Sequence, residues 1–307
     1  MKVKEAASQF LADLAMTKSE NTVSSYGTAL NHLCSCCGER DVSEITADVV
    51  PEYVRWLSAN NPVSQSSLNL YLVALSRFYR WLVLGRYVEE DLVRFGDWVS
   101  QYQKKIRRRK PKVPAEENVQ ALLSRIREAR PNPERPEAQR GRDIILRWLR
   151  DRALIETLRA TGCRIDEAVT LTVGDAVNQR AVVEGKGDKE RTVFWDEAGW
   201  TALSEYLEAR GDPPEYPLFA RHDWKAGGDE HISTQGARSI LAEWCRKAHV
   251  PVITPHQFRH RFATFSLRVM DLAHVQDLMG HESPETTRIY TQFQREELEA
   301  AHAQAEY

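Results

Sequence analysis

Apolar residues recur every three or four positions along most of this chain and alternate with polar ones only near its middle. That pattern predicts a mainly α-helical protein with one small β-sheet. Phe10, Leu11, Leu14 and Ala15 mark one face of a first helix. Val23, Tyr26, Leu30 and Leu33 mark a second, with Asn21 or Thr22 available as its cap. Tyr53, Val54 and Leu57 mark a third, capped by Thr46, with Pro51 close enough to the first turn to be tolerated. The clearest stripe runs from Ser64 to Leu84 through Leu68, Tyr71, Leu72, Leu75, Phe78, Tyr79 and Leu82, and Gly85 ends it. An aromatic stripe at this spacing is first of all a helix core, so residues 1–103 read as a helical bundle.

A second set of elements follows. Ala115–Ala129 is predicted helical, with Val119, Leu122, Leu123 and Ile126 inward. The prolines of PNPERPEAQRGR, residues 131–142, then break the chain into a surface loop. Asp143–Ala160 reads as a long helix with Ile144, Ile145, Trp148, Leu149, Ala153, Leu154 and Leu158 as its buried stripe. Another helix starts near Arg164. Val182–Val183 and Thr192–Phe194 read as two strands around a Gly185–Asp188 turn. Helices at Trp200–Ala209, Ser233–Ala248, Gln257–Val269, Ala273–Met279 and Pro284–Tyr290 complete a mostly helical second domain. The tail Glu296–Glu306 is helix-prone, and no internal repeat is visible.

Composition narrows the class. The 307 residues accommodate two domains of ordinary size, and 42% hydrophobic residues suffice for a substantial core. No run approaches the ~18 to 20 apolar residues of a membrane span, and the N-terminal MKVKEAASQFLADLAM lacks the apolar core of a signal peptide. Five cysteines without framework spacing suggest reduced thiols, so a soluble cytoplasmic protein is expected. His32, Cys34, Cys36 and Cys37 lack the paired spacing of a structural zinc site and read as helix residues.

The formal net charge of −2 argues by itself against a nucleic-acid partner, but its distribution changes the picture. KKIRRRKPK holds seven basic residues and no acid: Lys104, Lys105, Arg107, Arg108, Arg109, Lys110 and Lys112. Such a run serves as a solvated linker. It also suits a linker lying along DNA phosphates, each contact releasing a counterion. The two readings are compatible.

The chemistry lies in five segments: Arg164 in TGCRIDE, Lys186 in EGKGDKER, His256 and Arg259 in PHQFRH, His281 in LMGHES and Tyr290 in TTRIYTQ. Together they suit moving a phosphodiester onto a tyrosine. A phosphodiester repels nucleophiles until its charge is neutralised, and the always-charged guanidinium can fork onto two oxygens. His256 and Arg259 are three apart, so on a helix they share a face. A phenol of pKa ~10 needs activation, and an imidazole is a suitable proton acceptor. Glu167, three positions after Arg164, is expected to buttress that arginine or the active-site helices rather than react, and His260 to support the residues that touch the phosphate.

With these motifs the chain resembles the tyrosine recombinase (phage integrase) family, in particular its compact two-domain Xer-like and mobile-element members. The likeness is strongest from Asp151 to Phe293 and weaker over Phe10 to Gly96. It implies a SAM-like core-binding domain at 1–103 that clamps DNA, a basic linker at 104–114 and a catalytic domain at 115–307. It also implies a homo-tetramer acting on two double-stranded DNA sites, alone or with a partner recombinase, through a 3′-phosphotyrosyl link. Lys186 is then the general acid for the leaving 5′-oxygen, although Lys189 and Arg191 are rivals at the same turn. His281 either bonds a phosphate oxygen or caps the neighbouring helix. Cys163 stands where Leu or Met is usual, and Arg261 where a small hydroxyl residue is usual; Arg261 could add a phosphate contact.

No acidic cluster suited to a divalent metal accompanies these residues, and the family likeness agrees, so metal-independent, cofactor-free chemistry is expected. The tail, with Leu298, Ala300, Ala301 and Ala305 on one face, either docks on a neighbouring protomer or frays. The chain begins almost at the first helix of the clamp domain, which favours a dimer resolvase or a simple mobile-element recombinase over an integrase with a separate arm-binding domain. The same residues would serve a type IB topoisomerase-like nicking-closing enzyme. A non-catalytic DNA-binding architectural protein is the reading of another class, and a lost Tyr or Arg would support it; every catalytic position is present.

Overall fold

The computed structural model describes residues 1–89, 91–104, 112–131, 138–185, 189–222 and 230–280, with backbone alone over 138–142. Lys186, His281, Tyr290, Lys105, Arg107, Arg108, Arg109 and Lys110 lie outside the described residues, as do the predicted Pro284–Tyr290 helix and the tail. The chain divides into two units, Met1–Arg109 and Lys110–Tyr307.

The first unit holds five α-helices among its described residues: α1 (Val3–Ala15), α2 (Glu20–Cys37), α3 (Val49–Asn60), α4 (Gln65–Leu84) and α5 (Leu92–Tyr102). Its core joins Phe10 and Leu14 of α1, Leu30 and Leu33 of α2, Tyr53 and Leu57 of α3, and Leu72, Phe78 and Leu82 of α4. The buried Tyr53 hydroxyl donates to Ala29 O at 2.8 Å, which satisfies the one polar atom that this aromatic carries inward. Two expected caps move. Ser19, not Asn21 or Thr22, precedes α2, and Asp48, not Thr46, precedes α3. The Asp48 carboxylate does not cap its own helix; it accepts from Arg94 and Trp98 and so ties α3 to α5. Cys37 is buried and donates to Leu33 O, while His32 lies against Asn61 and Tyr71. At the unit's far end Lys104 O accepts from the Asn69 amide of α4 at 3.0 Å.

The second unit holds α6 (Glu116–Glu128), α7 (Ala138–Thr161), α8 (Ile165–Thr170), an antiparallel pair β1 (Arg180–Glu184) and β2 (Glu190–Phe194), and α9 (Glu197–Arg210). It continues with α10 (Thr234–Lys247), α11 (Pro255–Ser266) and α12 (Leu272–Met279). Leu154, Ile155 and Leu158 of α7 are fully buried and share a core with Leu203 and Tyr206 of α9 and Phe258 of α11. In the sheet Arg180 pairs with Phe194 and Glu184 with Glu190, so Ala181, Val183 and Val193 turn inward.

Three expectations change here. Helix α7 begins at Ala138, so residues 138–142 of the expected loop are helical. Ile144, placed in the buried stripe, is half exposed. Helix α11 starts at Pro255 rather than Gln257, because Thr254 accepts from Gln257 N while the Gln257 side chain accepts from Thr254 N. This reciprocal cap, with Pro at the first position, puts His256 inside the first turn. Among the described residues no helix is long and apolar enough to cross a membrane.

Candidate active site

Arg164 stands at the cap of α8, where its backbone N donates to Glu167 Oε2 at 2.6 Å and its Nη1 to Glu167 Oε1 at 2.7 Å. The chain reaches this point through Gly162, whose φ of +59° and lack of a side chain are both needed: a Cβ there would sit 2.4 Å from the Phe262 ring. Gly162 O in turn accepts from Arg259 Nη1 at 2.9 Å, so the tight turn before Arg164 and the α11 arginine fix each other.

Arg259 is buried, 3% exposed, and its Nη2 also donates to Met279 O at the end of α12. Among the described residues no carboxylate forms an ion pair with it. Burial, then the nearby Arg164 and Arg191 charges, pull its guanidinium down to about 10, which leaves it charged at neutral pH. His256, one turn earlier, is exposed. Its partial burial, then the Arg259 and Arg164 cations, hold the imidazole below its usual value, so it stands neutral and able to accept a proton. His260 packs edge-on against it with ring centroids 4.1 Å apart, and burial, His256 and Arg259 push His260 down to about 4.

These side chains open on one cleft of about 620 Å³, lined by Arg164, His256 and Arg259 and by Thr254 and Pro255 at the start of α11. The N-terminus of α11 adds its positive dipole end to the same cleft. The stripe Gln235, Arg238, Ser239 and Ala242 of α10 forms another wall, which no motif in the sequence singles out.

Arg191, one of three cations that the sequence places at the hairpin turn, is instead folded inward. It forks onto Glu167 with Nη1 to Oε1 at 2.7 Å and Nη2 to Oε2 at 2.6 Å. Burial pushes the Glu167 carboxyl up, but the Arg191 and Arg164 hydrogen bonds outweigh it and hold the carboxyl at about 2. A legible signal existed: Arg191 shares the inward face of β2 with Val193 and stands opposite the buried Val183. Gly185, which precedes Lys186, lies close by, since a Cβ on it would be 3.9 Å from Arg164 Nη1. Gly280, with φ +58°, ends α12 immediately before His281.

Arg261 departs from the expected phosphate contact. Its Nε and Nη2 donate to both Glu116 oxygens at 2.9 and 2.8 Å, and its guanidinium lies over the Phe265 ring, so it is committed within the unit. Lys112 is exposed.

The chain matches the Phage integrase family over residues 146–297 and the Phage integrase N-terminal SAM-like domain over residues 7–85. A tyrosine recombinase XerC of Leptospira interrogans is 29% identical over 313 residues, covering 99% of this chain and 93% of the relative. A tyrosine recombinase XerC of Herpetosiphon aurantiacus is 31% identical over 306 residues, covering 94% and 90%. The fold is shared with a lambda integrase tetramer bound to a Holliday junction, with a TM-score of 0.69 at 13% identity, over 94% of this chain and 77% of that one. These relatives favour neither the topoisomerase-like nor the non-catalytic reading. The motifs, the helical architecture and the full-length relatives agree: the chain belongs to the tyrosine recombinase (phage integrase) family, site-specific recombinases that break and rejoin DNA.

Proposed function

We propose that Arg164, Lys186, His256, Arg259, His281 and Tyr290 form one active site that cleaves DNA through a 3′-phosphotyrosyl intermediate. The observation that carries this reading is the charge at the cleft. The cleft is lined by three guanidiniums, Arg164, Arg238 and Arg259, and one carboxylate, Asp166, while Glu167 is held by Arg191 and Arg164, so a net cationic charge faces the space beside His256. This charge favours a phosphate, above all one gaining charge in the transition state.

Arg164 and Arg259 hold the non-bridging oxygens, with a further hydrogen bond from His281. The Tyr290 oxygen bonds to phosphorus as its proton passes to His256, and the bond from phosphorus to the sugar 5′-oxygen breaks as Lys186 protonates the leaving group. A 5′-hydroxyl from another strand reverses these steps, so the bond energy is kept and strands rejoin without ATP. Glu167 and His260 support the arginines and His256.

The working unit in this proposal is a homo-tetramer on two double-stranded DNA sites, alone or with a partner recombinase. The resemblance to the lambda integrase tetramer on a Holliday junction supports it. Residues 1–103 clamp the duplex, 104–114 track phosphates and 115–307 carry the chemistry. The setting is the cytoplasm, and the roles open to such an enzyme are integration and excision, including that of a mobile element, or dimer resolution.

The test is incubation, in EDTA, with nicked duplexes drawn from DNA flanking the gene. A covalent protein–DNA adduct on a denaturing gel is expected; tight binding with no adduct would overturn the catalytic reading. Replacing the basic residues of 104–112 with glutamine should weaken binding and flatten its salt slope by about 0.9 for each phosphate no longer neutralised. An unchanged slope in a filter-binding titration would make the segment a tether alone.

A further inference from the structure

We infer that Arg191 is a positioning residue that takes up the Glu167 charge and so leaves the charge of Arg164 free for the scissile phosphate. The inference rests on Arg164 being a phosphate ligand, as proposed above. Arg191 is 7% exposed and its guanidinium engages both oxygens of Glu167, whereas the Arg164 guanidinium reaches only Oε1, with one nitrogen, the Arg164 backbone N–H bonding Oε2. The fork from Arg191 neutralises the carboxylate, and the single bond from Arg164 orients its guanidinium without cancelling it. Without Arg191, a buried carboxylate would face Arg164 alone and compete with the phosphate for it.

A second tie gives Arg191 reach across the site. Its Nε donates to Leu278 O at 2.9 Å, one residue before the Met279 carbonyl that accepts from Arg259. Its Cδ lies where a Cβ on Gly280 would approach to 2.9 Å, so the left-handed glycine that ends α12 is fitted around this side chain. One residue on β2 therefore sets the partner of Arg164 on α8 and the end of α12.

The test is a double-variant cycle read as single-turnover cleavage of a nicked duplex, with binding measured alongside. Arg191→Gln should slow cleavage about a hundredfold, the size of losing one transition-state donor, while the Kd for the duplex changes little. Adding Glu167→Gln removes the uncompensated carboxylate and should restore at least about tenfold of that loss, since neighbouring charges couple non-additively. A merely structural Arg191 predicts the reverse, with the double variant as slow as the single or slower. That outcome, or wild-type cleavage by Arg191→Gln, would overturn the inference while wild-type adduct formation leaves the catalytic reading intact. A wild-type enzyme that forms no adduct would sink both. Should Arg191→Gln melt below the assay temperature, Arg191→Lys decides: the retained charge should hold cleavage within about tenfold of wild type. A hundredfold loss there, with Kd unchanged, would assign Arg191 a role in shape and not in charge.

Discussion

Arg259→Ala should slow strand cleavage by about 10³ to 10⁵, the range in which a transition-state arginine acts on phosphoryl transfer, and leave DNA binding close to wild type. The guanidinium is nearly buried, and its two carbonyl partners, Gly162 O and Met279 O, leave other N–H donors of its five for a phosphate. On a guanidinium only 3% exposed each such bond is worth more than at the surface. Binding depends on many other cations along the chain and should tolerate the loss.

The variant also has a structural cost. Two buried carbonyls lose their donor, at about 1 to 3 kcal/mol each. Relief of the burial of this charge and of its repulsion by Arg164 and Arg191, which together pull Arg259 down to about 10, offsets part of this. A thermal melt separates the effects. A stable variant with a deep loss of single-turnover cleavage assigns the chemistry to Arg259. A loss of less than about tenfold would reduce Arg259 to a tie between the Gly162 turn and α12.

The helices and their cores were legible because apolar spacing is a local property. The stripe from Leu72 to Leu82 is buried as read, and the Gly85 stop and both strands fall where expected. What the sequence concealed depends on distant partners. Helix α5 has no readable apolar stripe, because it buries only Phe95 and Val99 and carries Gly96 between them. Thr46 and Asp48 are both good caps, and nothing local says that α3 begins after the second. Ile144 sits in the right register but near the start of α7, where that face is still exposed.

The same division holds at the site. The spacing of His256 and Arg259 gave their shared face, and Gly280 gave the helix end. Arg261 looked like an available cation because its partner, Glu116, lies 145 positions away. Arg191 looked like a turn residue until the sheet register turned it inward onto Glu167. Motif position identifies candidate charges; only the fold tells which of them are already paired.

Tyr290→Phe should abolish the covalent adduct altogether, because it removes the one atom that would bond to phosphorus and nothing else. Neither a water molecule nor a neighbouring side chain replaces a positioned phenol at comparable rate, so the signal on a denaturing gel should fall to background. Affinity for the same duplex should stay near wild type, since a single hydroxyl is removed. An adduct that persists would move the nucleophile to another residue and undo the assignment from the TTRIYTQ segment. The wild-type rate carries a second signature. His256 is held below its usual value by burial and by Arg259 and Arg164, so it is neutral at pH 7, as the proposed proton acceptor must be. Adduct formation should therefore hold as the pH falls towards ~6.5, the ordinary imidazole value, and decline below it as His256 takes up its proton. In His256→Gln that acid limb should disappear together with most of the rate; a limb that remains would place the proton acceptor elsewhere.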